Sequence, residues 1–155
     1  MKLTPQDQAL AERMAPGVLS RDGFLGRDHR PVSEIVATDA TAVEALGVTH
    51  AEIAAALAEA RDTAIEAFGA PAEVRGLKAT CIEARGRIVC PWGGCGGFDK
   101  GEIVLTGPDG ETLAFTPLSV HLIARHGFYQ GRGSRYRIEP GKACRMLGLG
   151  GEKGG

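Results

Sequence analysis

A change of period at Gly69–Ala70–Pro71 constrains this chain more than any other feature. Before it, "THAEIAAALAEARDTAIEAFGAP" (residues 49–71) has the marks of a long helix. Thr49 and Glu52 form a capping box, Ile53, Leu57, Ala60, Ala64 and Phe68 make an apolar stripe, and Gly69 with Pro71 stops it. After it, "EVRGLKATCIEARGRIVC" and "GEIVLTGPDGETLAFT" are rich in β-branched residues, the second turning at "GPDG". A helical half must bury its stripe on a sheet that follows it, so the fold class expected is α+β with a small antiparallel sheet.

The other boundaries follow from local punctuation. Thr4 and Pro5 open a first helix that Gly17 lies beyond, and "TDATAVEALGV" (residues 38–48) is a short second one ended by Gly47. "TPLSVHLIARHGF" returns to helix over residues 117–126, with Thr116 as N-cap, Pro117 at its first position and Gly127 as the stop. One short strand is expected around Tyr136–Ile138, then a flexible glycine-rich tail over 149–155. At 155 residues the chain is one domain. It runs over 1–148, helical over 1–70 and sheet plus helix over 71–148. No stretch approaches the roughly 18 apolar residues of a membrane span, and the N-terminus lacks a signal-peptide core, which points to the cytoplasm. There, four cysteines are free thiols or metal ligands rather than a disulfide frame.

Chemistry concentrates in "CPWGGCGGFDKG", residues 90–101. Cys90 and Cys95 bracket the single tryptophan in a glycine turn after a strand, and His121 and His126 lie on the later helix. The spacing C-x4-C, 25 residues, H-x4-H resembles a two-cysteine, two-histidine zinc finger, in which a turn supplies thiolates and a helix imidazoles. The resemblance covers residues 90–126 and implies a structural zinc site; the gap holds a whole hairpin, unlike a DNA-reading finger. A regular helix turns two positions five apart by roughly 140°, so the imidazoles share an ion only if the helix tightens or ends before His126. Cys81 or Cys144 could stand in for one ligand. Two other readings stand beside zinc. Cys90 and Cys95 can be fillers in a turn anchored by Trp92, or Cys90 or Cys95 can be a nucleophile with His126 or His121 as base and glycine amides as oxyanion donors.

Charge is uneven along the chain. Residues 1–70 carry six basic against eleven acidic side chains, and residues 117–155 seven against two. Arg132, Arg135, Arg137, Lys142 and Arg145, interleaved with Phe128, Tyr129 and Tyr136, form a basic surface suited to an anionic small molecule or nucleic acid. The alternative is that the acidic and basic halves pair, within one chain or between copies of a homo-oligomer. "AVEALGVTHAEIAAAL" (residues 42–57) resembles the helix-turn-helix of bacterial repressors. Its recognition positions carry no Lys or Arg before Arg61, whereas binding a polyanion needs them, so a plain helical corner is expected. The composition thus favours a small binding or regulatory protein, with a Cys/His-dependent or metal-dependent enzyme as the alternative.

Overall fold

A computed structural model describes residues 4–150. Five helices and four strands follow in the order α1 (Pro5–Arg13), α2 (Val32–Ala45), α3 (His50–Glu66), β1 (Ala72–Val74), β2 (Leu77–Val89), β3 (Gly97–Thr106), β4 (Thr112–Phe115), α4 (Pro117–His126) and α5 (Pro140–Leu147). The strands form one antiparallel meander, β1-β2-β3-β4, so the fold is α+β as its patterning predicts. No helix among the described residues is long and apolar enough to cross a membrane.

α3 is the central helix. Its capping box forms as expected, and Ile53, Leu57, Ala60 and Ala64 are completely buried against Ala79, Ile103 and Leu105 of the sheet and Ile123 of α4. Each large apolar side chain so buried stabilises the fold by about 1.5–3 kcal/mol. Phe68 departs from the expected stripe: the helix ends at Glu66, and Phe68 turns to φ 51° with 88% of its surface exposed. The α2–α3 corner packs Val43, Ile53 and Leu57 inward, as a helical corner does.

Three boundaries differ from the sequence reading. α2 begins at Val32, because Val32, Ile35, Asp39 and Val43 form one buried stripe that starts well before Thr38. Tyr136–Ile138 makes no strand; Ile138 instead donates its backbone N–H to the Tyr129 carbonyl. α5 was not expected, although Pro140 at its start and Gly148, left-handed at φ 72°, mark both ends. Leu149 packs against the main core, and residues 151–155 of the expected tail lie outside the described residues.

The sheet is unequal, and this positions the site. β1 pairs only with Leu77–Ala79 of β2, and β4 only with Ile103–Thr106 of β3. Beyond them β2 and β3 continue as a two-stranded ribbon, paired from Ile82↔Glu102 out to Val89↔Gly97, with an irregularity between Glu83 and Arg87. An isolated two-stranded ribbon is marginal in water, so its tip needs an anchor. The tip folds into a second apolar cluster of Leu10, Met14, Phe24, Ile35, Leu122 and Phe128, which Cys90 joins and Trp92 and Phe98 flank.

Candidate metal centre

The knuckle is the β2–β3 hairpin loop. Cys90 follows Val89, the last residue of β2, and Cys95 stands two residues before β3 begins at Gly97. A tight turn closes it, Gly93 donating its N–H to the Cys90 carbonyl at 2.9 Å. Gly93, Gly94 and Gly96 all adopt positive φ, between 71° and 83°, a conformation that costs a side-chain-bearing residue about 1–2 kcal/mol. Arg13 of α1 donates through Nε to the Pro91 carbonyl and ties the loop to the helical layer.

α4 supplies the facing side. Thr116 and Ser119 cap it reciprocally, Pro117 occupies its first turn, and Gly127 ends it at φ 60°, as the sequence predicts. At the exit Gly127 donates to the Ile123 carbonyl and Phe128 to that of Leu122, both at 3.0 Å. The Trp92 indole stacks on the His126 ring at 4.1 Å and 6°, and Phe98 tilts against His121 at 4.6 Å. Aromatic faces thus fix both imidazoles.

The loop and helix bring all four expected ligands together. One donor atom from each of Cys90, Cys95, His121 and His126 lies within 4.8 Å of every other, a group that could hold a metal ion. His126 Nε2 sits 3.3 Å from Cys90 Sγ and 3.8 Å from Cys95 Sγ. The expected obstacle of the 140° turn does not operate, even though α4 stays helical through His126. Five residues rise about 7.5 Å along a helix axis, yet the two ring centroids are 5.4 Å apart at 80°. The side chains lean toward each other across that rise. The His121 Nε2 is buried and has no hydrogen-bond partner among the described residues. Cys81 lies on β2 and Cys144 on α5, and neither belongs to the group.

Electrostatics bear on what the cluster can do. Burial, with Arg125 nearby, pushes His121 below the ordinary histidine range, and burial, His121 and Arg125 do the same to His126. Neutral imidazoles are the form that ligates metal. Burial is also the main cause that pushes the Cys90 thiol up to about 11. A thiol held that high is a poor nucleophile near neutrality, whereas a divalent cation reverses the effect and holds a coordinating thiolate. Gly93, expected as an oxyanion donor, has its N–H engaged within the turn.

The basic residues lie elsewhere. Arg137 is half-buried and donates to both carboxylate oxygens of Asp39 on α2, at 2.6 and 3.1 Å, and to Glu139. Arg135 faces Asp22 and Glu102, and Arg145 pairs with Glu111. Arg132 is exposed and its backbone N–H donates to the Asp28 carboxylate at 3.1 Å, but neither its guanidinium nor the Lys142 ammonium forms an ion pair among the described residues. The backbone N–H of Gly131, beside this basic stretch, donates to the Phe24 carbonyl. Two groups escaped the sequence reading altogether. Asp7 reaches α2, and His50 Nδ1 lies 2.8 Å from the Tyr129 hydroxyl; both are long-range pairings that no short motif announces. No family model, curated protein or solved structure matches the chain.

Proposed function

We propose that Cys90, Cys95, His121 and His126 bind one structural zinc ion, and that the protein is a small zinc-stabilised binding or regulatory module. The observation that carries this reading is the convergence of the four donor atoms, with His121 Nε2 buried and otherwise unpaired. A buried nitrogen without a partner costs about 1–3 kcal/mol, and a metal bond removes that cost. Two thiolates and two imidazoles suit zinc, whose filled d shell imposes no ligand-field geometry and which takes four ligands tetrahedrally in structural sites. A complete protein ligand set leaves no position for water or substrate, which favours a structural over a catalytic role. The ion would anchor the ribbon tip to α4, and a reducing cytoplasm would keep its thiolates intact. An anionic partner draws little support from the arginines, since Arg135 and Arg137 direct their charge to carboxylates of the same chain.

The test is the metal content of protein purified without a histidine tag. One zinc per chain is expected, with loss of the metal and a lower Tm in Cys90→Ser and in Cys95→Ser. Metal-free wild-type protein in which one thiol alkylates rapidly near pH 7 would instead support the nucleophile reading.

A further inference from the structure

Two of the four converging donors are sulfurs on one loop, and sulfur offers a redox chemistry that the imidazoles lack. Val89 pairs with Gly97 at the tip of the ribbon, so Cys90 and Cys95 stand on the two arms of a single hairpin turn. Their Sγ atoms lie within 4.8 Å of each other. A disulfide needs about 2.0 Å, a gap that rotation of two cysteine side chains in a glycine-rich turn can close. Cys81 on β2 and Cys144 on α5 lie outside the group, so neither competes as a partner.

The two thiols differ in access. Cys90 is 2% exposed within the apolar cluster, whereas Cys95 is half-buried. On either side of Cys95, Gly94 and Gly96 face open space: apart from chain neighbours, no atom comes within 4 Å of a Cβ built on either. A small oxidant therefore reaches Cys95 first, with Cys90 behind it as the resolving thiol.

Zinc bound here would hold both sulfurs as thiolates, the form that attacks a peroxide. We propose that the cluster is a peroxide-responsive switch, resting on the zinc reading above, in which hydrogen peroxide oxidises Cys95 and Cys90 to a disulfide and the ion is released. The Cys95 thiolate attacks the peroxide, breaks its O–O bond and becomes a sulfenic acid, while hydroxide leaves. The Cys90 thiolate then attacks that sulfur; the S–S bond forms and the sulfenic oxygen leaves as hydroxide. Two electrons pass from the sulfurs to the peroxide, and disulfide sulfurs no longer complete the four-ligand shell that zinc takes in structural sites. Release matters because β1 covers β2 only at Leu77–Ala79 and β4 covers β3 only at Ile103–Thr106. Without the ion, the polar hold on the tip falls to the Trp92 stack on His126 and the bond from Arg13 to Pro91, and the ribbon loosens from Leu122 and Phe128 of the apolar cluster.

The test treats the zinc-loaded, untagged full chain with hydrogen peroxide beside the chromogenic chelator pyridylazoresorcinol. One zinc per chain should be released, and none without peroxide, while peptide mass mapping should find a Cys90–Cys95 bond. Emission of Trp92, the only tryptophan, should shift to the red, and tryptic cleavage after Arg85 and Arg87 should accelerate severalfold. Dithiothreitol followed by zinc should restore the starting state, and the double variant Cys81→Ala, Cys144→Ala should behave as the wild type. Zinc retained under peroxide, oxidation confined to other cysteines, release that reductant and zinc do not reverse, or release with unchanged emission and cleavage would overturn the switch and leave the zinc reading standing. A folded chain that takes up no zinc would overturn both.

Discussion

Single side chains do long-range work here. α2 has no cap of its own at Pro31. Asp7 on α1, 26 positions before Ser33, caps it instead, accepting from the Ser33 N–H at 2.8 Å and the Ser33 hydroxyl at 2.7 Å. The hydroxyl of Ser33 is the main cause that holds the Asp7 carboxyl below its ordinary value. A depressed carboxylate contributes stability that is fully present above its unfolded value of about 3.9 and is lost as pH falls through the lower folded value. Asp7→Ala should therefore lower unfolding free energy by about 1 kcal/mol near neutrality, the usual worth of a helix cap. Denaturant melts of the two proteins should converge as the solution is acidified below pH 4. A constant difference down to the acid transition would show that the carboxylate charge is not what matters.

At the scale of elements, α4 decides the site. Gly127 must be left-handed, and a Cβ added there would lie 2.9 Å from His50 Nε2. Gly127→Ala should cost at least the 1–2 kcal/mol or so of a strained left-handed residue. By shifting the exit of the helix it should also weaken metal retention against a chelator. Unchanged metal retention in folded Gly127→Ala would mean that the exit does not orient His126. The bounds of α4 were legible because Thr116, Pro117 and Gly127 act locally. α5 carried the same punctuation at Pro140 and Gly148, but the further glycines at 141 and 150 masked it. The four side chains that converge could be read from spacing. The approach of His121 to His126 could not, since it depends on side-chain torsions held by Phe98 and Trp92 from another element. Asp7 and His50 left no local trace because their roles arise only when distant segments meet.

In the whole molecule, the acidic front and basic back of the chain meet within one protomer. Arg137 joins Asp39, and Arg135 joins Asp22, so opposite ends of the sequence close on each other. That closure leaves the β2–β3 ribbon as the part least held by strands, extending past β1 and β4 with Val89 still 48% exposed near its tip. Cys90, Trp92 and Cys95 pin that tip against α4, in the place where a metal would do most for the fold. X-ray absorption at the zinc edge of untagged protein tests this most directly. A shell of two sulfurs at about 2.3 Å and two nitrogens at about 2.0–2.1 Å is expected. A shell of oxygen and nitrogen alone, or protein that takes up no zinc while keeping its fold, would contradict it.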